Sequence, residues 1–359
     1  MALFTQSIKN LGFTSYEEIK NYFSTPPENL CFREEEDLYM VSFTDSSDLK
    51  NPLVRECNGT ILDKKTNQVL YVGFDKCYDG IDKDGDSYKD PIDCESSNWC
   101  LEPMIEGSIV KLFYFQGNWR WSTSRHTDAR KNKWSSNKSY QELIEECIFP
   151  SFYDDLNPKE CYTYILQHPE NYTVYPNEEM KLTLLSTVDL TNFKLKDTYS
   201  DTIIIKSLED LQLFRSRYDP QNMMLYCRES CIRIKLITEE YKKMASLRGN
   251  YPDIRTAYLR SNPYERKDMY KYFPLLIPTF KELEERIKWF SSNIHWLYFH
   301  NYVKKERHVV PPLWRKTLYL LHGHYLKTLV PITRSTVDWY ITHYIDPKTL
   351  QKIIELPSI

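Results

Sequence analysis

A chain of 359 residues is long enough for two domains of ordinary size, and 41% apolar with 27% charged residues excludes a disordered chain. The net charge of −3, from 47 basic and 50 acidic residues, neither demands nor excludes nucleic acid, because the two signs can segregate into patches. The nine cysteines form no C-x-x-C pair, no secretory signal opens the chain, and no apolar run approaches the roughly 18 residues of a membrane span, so a reducing, cytoplasmic setting without membrane is expected.

Residues 1–50 read as short helical stretches between polar turns, with Ser15 and Glu18 at capping-box spacing. Ile61-Leu62 and Val69–Val72, separated by a polar turn at 64–67, predict a hairpin. An acidic stretch from Asp79 to Glu95 follows; Asp82, Asp84 and Asp86 alternate as in a calcium loop, but Gly85 falls too early for one, leaving a solvated loop. Ile109–Phe115 and Trp119–Ser124 flank Gln116-Gly117-Asn118 as a second, aromatic-rich hairpin with Trp119, Trp121 and Thr123 on one face. Further strands are predicted at Tyr162–Gln167, Leu182–Val188, Thr202–Ile205, Met223–Cys227 and Cys231–Leu236.

Beyond Thr238 the pattern turns helical. Leu283, Ile287, Phe290, Ile294 and Leu297 advance by threes and fours along 280–300. Pro311-Pro312 interrupts, and helices at Leu313–Leu326 and Ser335–Tyr344, the latter capped by Ser335, complete the chain. The expectation is an α+β protein: an N-terminal extension (1–50), a domain of antiparallel sheets (51–250) and a helical C-terminal domain (251–359), with the main boundary near 240–260.

Nine glycines supply neither G-x-G-x-x-G nor G-x-x-x-x-G-K-[ST], which argues against Rossmann and Walker-type phosphate sites. Five other segments stand in a fixed order. They are Arg55-Glu56-Cys57-Asn58-Gly59-Thr60, Phe74-Asp75-Lys76-Cys77-Tyr78-Asp79, Ile105-Glu106-Gly107-Ser108, Gln167-His168-Pro169-Glu170-Asn171, and Arg233-Ile234-Lys235, the last continued by Glu240-Tyr241 and Leu247-Arg248-Gly249-Asn250. Each is weak alone. Together they resemble the E-x-R-G, K-F-F-N, K-x-D/E-G-S, V-S-P-E-N and final basic motifs of the RNA ligase and mRNA-capping nucleotidyltransferase superfamily. The helical remainder resembles the region attached to this domain in uncharacterised proteins of large DNA viruses.

The resemblance implies a nucleotidyltransferase fold in which a motif lysine attacks the α-phosphate of ATP or GTP, with carboxylates holding divalent metal on the phosphates. Here the lysine position is Met104, the motif glutamate falls on Ile165, and Asn222-Met223-Met224 carries no carboxylate where the fourth motif has one. Arg233 keeps the charge of the first lysine of the last motif, and Lys235 remains. Three losses together predict a pseudoenzyme with no catalytic residues. Lys111, seven residues beyond Met104, is the nearby amine that could substitute.

Binding positions are better kept. By the resemblance, Tyr164 stands where an aromatic stacks on the base, Glu106 lies at the pocket floor, and Lys76, Lys111, Arg233 and Lys235 meet phosphates, with Arg55 and Arg248 as further candidates. Trp119, Trp121, Trp99 and Tyr114 are candidate second rings in a chain with 14% aromatic residues. Such a set suits a methylated guanosine cap, whose cationic base stacks on aromatics and offers N–H groups to a carboxylate. The same aromatics also suit a core, and Arg233 and Lys235 also suit a charged strand face.

The run from Ser124 to Lys133, with Arg125, Arg130, Lys131 and Lys133, could contact an RNA backbone or be a solvated loop. His126 and Asp128 hint at acid–base work without a fixed nucleophile. Lys304-Lys305-Glu306-Arg307-His308 is a second basic cluster, and His322 and His324, two apart on a helix, diverge. No metal site or cofactor is expected.

The leading function is therefore non-catalytic binding of an RNA 5′ end, most concretely a capped one, in viral translation initiation, in the host cytoplasm or a viral factory. One alternative is an active ATP-dependent RNA ligase using Mg2+ and a displaced nucleophile. Another is a scaffold with a vestigial pocket whose residues 251–359 dock a viral or host protein.

Overall fold

A computed structural model describes residues 3–74, 77–79, 99–174, 178–196, 203–206, 210, 222–227 and 233–355. Contacts divide the chain into a unit of Met1–Lys242 and a unit of Lys243–Ile359. The α+β class with antiparallel sheets and a helical C-terminal region is the one observed, and residues 243–250 go with the helical unit.

The first unit carries three sheets. One has the order β1 (Cys31–Glu35), β2 (Leu38–Ser42), β3 (Asn58–Asp63), β4 (Val69–Tyr71). A second runs β11 (Lys194–Lys196), β10 (Lys181–Asp189), β9 (Glu160–Gln167), β7 (Ser108–Phe115), β8 (Asn118–Thr123). The third runs β12 (Ile203–Ile205), β6 (Trp99–Pro103), β13 (Met223–Cys227), β14 (Arg233–Leu236), β5 (Cys77–Asp79). Within these ladders only β5 and β14 pair in parallel.

The aromatic-rich hairpin is tighter than its sequence suggests. Gln116 and Gly117 both take positive φ, 50° and 81°, and Asn118 already pairs with Phe115. Two left-handed residues in a row make the turn whose twist matches the flanking strands.

Residues 1–50 depart from expectation. The helix Tyr16–Phe23 has the Ser15/Glu18 capping box, but two strands follow that the sequence reading missed. Cys31–Glu35 is too polar to read as a strand; it sits at the sheet edge, where only its neighbour β2 is buried. Phe4, Ile8, Ile19 and Phe23 pack with Tyr39, Met40 and Val41 into one core. Burial of each large apolar side chain contributes about 1.5–3 kcal/mol, so this segment completes the first sheet rather than extending from it. The acidic residues 80–95, the calcium-like aspartates among them, lie outside the described residues.

In the second unit the helix Ile277–Tyr298 buries Leu283, Phe290, Ile294 and Leu297 of the stripe its periodicity predicted; Ile287 is half-buried, and Phe280 joins the buried face. Helices Pro312–Thr328, Arg334–Tyr344 and Pro347–Ile354 follow. Thr333, not Ser335, caps the second of these: its hydroxyl accepts from the Thr336 N–H at 3.3 Å.

Candidate functional site

The motif segments interlock in the first unit. Glu106, buried between β6 and β7, accepts from the Val174 N–H at 2.7 Å, from the Tyr241 hydroxyl at 2.6 Å and from the Thr173 hydroxyl. Ser108 Oγ accepts from Asn171 Nδ2 at 2.9 Å. Glu-Gly-Ser, the segment after Pro169 and the continuation of the last motif are thereby clipped together. Gly107 is needed there: an added Cβ would come within 2.4 Å of Ile165 Cγ2 and 2.6 Å of the Leu166 carbonyl oxygen. Arg233 lays its guanidinium 4.0 Å over the Phe74 ring, joining the last motif to the second.

The surroundings of Ile165 are filled by apolar side chains. Ile165 packs with Phe74 and Leu185, flanked by Ile105 and Leu195. Between Phe74, Glu102, Leu185, Ser186, Tyr226 and Arg233 the void is about 10 Å³, room for about one water and none for a purine. Met104 donates its backbone N–H to the Asn222 carbonyl at 2.9 Å, so Met104 and the Asn222-Met223-Met224 stretch are adjacent.

Lys111 lies apart from this void. Its ammonium is buried, donates to the Gly59 and Asn58 carbonyls at 2.9 and 3.3 Å, and stands 4.9 Å from the Tyr71 ring centroid. Burial without a carboxylate partner pushes its pKa down to about 7. A Cβ on Gly59, which holds φ +79°, would meet Nζ at 2.1 Å, so glycine leaves the room that the buried amine occupies. This corrects the expectation that Lys111 meets phosphate.

Other expected positions also change. Tyr164 does not share the face of Ile165: strand alternation puts it on the opposite side of β9, against Trp121 at 5.5 Å and Phe152 at 5.8 Å. It is core. Trp99 is likewise core, among Leu101, Ile205, Leu225 and Ile234. The Glu106 carboxylate is already engaged by three donors, which corrects its role as acceptor for a base. Arg55 donates to the Leu49 and Lys50 carbonyls, both at 3.2 Å, and Arg248 to those of Tyr251 and Pro252. Lys235 is half-buried on β14, on the same strand face as Arg233. Lys76 lies outside the described residues.

One open groove, about 400 Å³, brings together residues that stood in separate groups in the sequence. Trp119, Trp121, Arg130 and Lys131 line it, joined by Arg120 and by the carboxylates Glu35, Glu36, Asp128 and Glu145. Trp121 is nearly buried and donates its indole N–H to the Tyr153 hydroxyl at 2.9 Å. Trp119 is half-buried, edge-on to Tyr114 at 5.2 Å and Tyr162 at 5.8 Å. The cations are held by anions: Arg130 grips Asp128 (2.7 Å) and Lys131 reaches Glu36 (3.4 Å). His126 pairs with Glu35 at 2.7 Å rather than with Asp128. Partial burial opposes ionisation of Glu35, but hydrogen bonds from Thr127 and His126 hold its carboxyl below the usual range. Arg125 and Lys133 are exposed beyond the groove lining. The groove's glutamates carried no sequence signal, because Glu35 and Glu145 meet only through tertiary packing.

No family model matches the chain. It is similar to the immediate-early protein ICP-46 homologues of Invertebrate iridescent virus 3 (24% identity over 293 residues, 75% of this chain and 64% of that protein) and Invertebrate iridescent virus 6 (24% over 249 residues, 59% and 55%). The matches span less than two thirds of either relative. Among solved structures, a putative ATP-dependent DNA ligase from Aquifex aeolicus superposes at TM-score 0.40 with 13% identity, covering 74% of each chain. An archaeal ATP-dependent RNA ligase superposes at 0.40 with 10% identity, covering 98% of this chain and 82% of the ligase. These superpositions are loose, and the reading of the motif residues rests on their own contacts. No helix among the described residues is long and apolar enough to cross a membrane.

Proposed function

We propose that this chain is a non-catalytic protein of nucleotidyltransferase ancestry that holds an RNA 5′ end, most concretely a methylated cap, in the Trp119 groove. The observation that carries the reading is the groove of about 400 Å³ lined by indoles, cations and carboxylates, against a void of about 10 Å³ beside Phe74 and Arg233. A volume of that order accommodates a nucleotide. N7-methylguanine is cationic, so the Trp119 face and a groove carboxylate such as Glu145 favour it over guanine. Arg120, Arg130 and Lys131 suit the phosphates. The viral relatives are consistent with a role in viral translation or RNA handling, in the host cytoplasm or a viral factory.

The test is affinity for a methylated cap analogue against GTP. Preference for the methylated ligand, lost in Trp119→Ala, is expected; equal or absent binding sinks the proposal.

One observation favours a ligase reading: Lys111, with its pKa near 7, has a large neutral fraction at physiological pH. It predicts a labelled protein–nucleotide adduct with ATP or GTP and Mg2+, abolished by Lys111→Met. Burial of the ammonium opposes it. Neither adduct nor ligand would leave the scaffold reading, with a protein partner for the helical unit.

A further inference from the structure

We infer that the helical unit carries a binding site for a divalent transition-metal ion, Zn2+ by its donor set, formed by His300, Glu306 and His308. The three residues come from one short stretch after the long helix Ile277–Tyr298, where the chain passes through a single π-helical turn, Phe299–Val303. Their ligating atoms all lie within 4.8 Å of one another. His300 Nδ1 and His308 Nε2 both contact the same carboxylate oxygen, Glu306 Oε2, the second at 3.2 Å. Tetrahedral coordination with bonds of about 2.0–2.2 Å needs ligand atoms roughly 3.3–3.6 Å apart, so small side-chain adjustments within the present 4.8 Å cluster form the position.

The backbone is braced independently of these side chains. Glu306 donates its N–H to the His300 carbonyl at 2.8 Å, His308 to Asn301 Oδ1 at 2.8 Å, and Lys304 to the Phe299 carbonyl at 2.9 Å. Lys305 takes the left-handed conformation, φ 59°, that turns the chain back. Trp296, one helical turn before His300, stacks on that imidazole at 4.2 Å and meets His308 edge-on at 4.7 Å. Both rings are thus fixed by packing, and pre-positioned ligands lose less entropy on binding an ion.

Chemistry selects the ion. Two imidazole nitrogens and one carboxylate suit Zn2+ and its borderline neighbours, whereas Mg2+ and Ca2+ take oxygen-rich shells. A dication against one carboxylate and two neutral imidazoles leaves a local charge of about +1, which the exposed Lys304, Lys305 and Arg307 raise further. Affinity should therefore be moderate and salt-sensitive. Glu306 and His308 are exposed, leaving a coordination position for water.

The test uses the full chain freed of metal with a chelator. Zn2+ titration by calorimetry, and Co2+ titration followed by the tetrahedral d–d absorption, should show one saturable site, unaffected by millimolar Mg2+. His300→Ala and His308→Ala should abolish it, Glu306→Gln should weaken it at least tenfold, and Lys305→Ala should retain it. Cu2+ should quench indole fluorescence in the unmodified chain, and Trp296→Phe should remove most of that quench while the ion still binds. This pair of measurements remains informative if a histidine variant fails to fold. Absence of saturable Zn2+ binding, or binding that survives both histidine substitutions, overturns the inference.

Discussion

On one face of the sheet built from β7 and β9, Ile165 closes with Leu185 against Phe74, and Lys111 is buried beside Gly59. On the other face Tyr162, Tyr164 and Trp121 are also packed, but the β8 edge opens at Trp119 into a groove that includes Arg130 and Lys131. The first face carries Ile165 and Lys111; the second, among the described residues, borders the open groove of about 400 Å³. Motif residues can persist for the contacts they make with one another. Glu106 illustrates this, with three hydrogen-bond donors on its carboxylate and none of them a ligand.

The contrast can be broken most directly at Ile165. Ile165→Glu places a carboxylate among Phe74, Leu185 and Leu195, and should cost about 3–5 kcal/mol of stability at neutral pH, as for an uncompensated buried charge. Urea unfolding measures it, and a loss below about 1 kcal/mol would show that this face is open to water.

Lys111 sharpens the same face. Its folded pKa of about 7 lies below the unfolded value, so the unfolded chain binds more protons between pH 7 and roughly 10.4. Stability should accordingly rise with pH across that window, by about 1.4 kcal/mol per unit at most, and level off below pH 7. Unfolding midpoints from pH 7 to 9 should show the rise in the natural chain and lack its lysine component in Lys111→Met.

On the other face, Trp119→Ala should weaken cap-analogue binding by about 1–3 kcal/mol, roughly 5- to 150-fold, as for loss of a stacking aromatic. Tyr164→Ala should instead act on the fold, by about 3–5 kcal/mol through the cavity it leaves, with the affinity of the folded fraction unchanged. Calorimetry beside thermal melts separates the two. The smallest effect is expected at the groove cations. Removing Arg130 or Lys131 should lower RNA affinity severalfold and reduce the salt slope by about one per contact. An unchanged slope would place the RNA elsewhere.

Much of the architecture was legible because it follows local rules. The strands within 109–123, 162–188 and 223–236 declare themselves by short apolar and aromatic runs bounded by polar turns, with two-residue alternation at Trp119, Trp121 and Thr123, and 280–297 by steps of three and four. The Ser15 cap needs only its own neighbour Glu18. Where the rule is not local, the reading failed: β1 is a polar edge strand identified by its partner, and Thr333 displaced Ser335 as a cap because the helix starts one residue sooner. The site was legible in identity but not in orientation. Tyr164 and Ile165 are adjacent in sequence and face opposite ways, and which face meets solvent depends on the helix Tyr140–Glu145 and residues 150–153 covering one of them.

By itself, then, the sequence determined the α+β class and most of the element types, and it put Met104, a side chain with no nucleophilic nitrogen, ahead of Glu106-Gly107-Ser108. Only the tertiary structure decided that Glu106 is a clip, that Lys111 is enclosed, that Trp119 shares a groove with Arg130 and Lys131, and that His300, Glu306 and His308 converge. The physical reason is that side-chain chemistry is a property of one residue. Burial, hydrogen-bond saturation and pKa belong to the neighbours that the fold brings within a few ångströms.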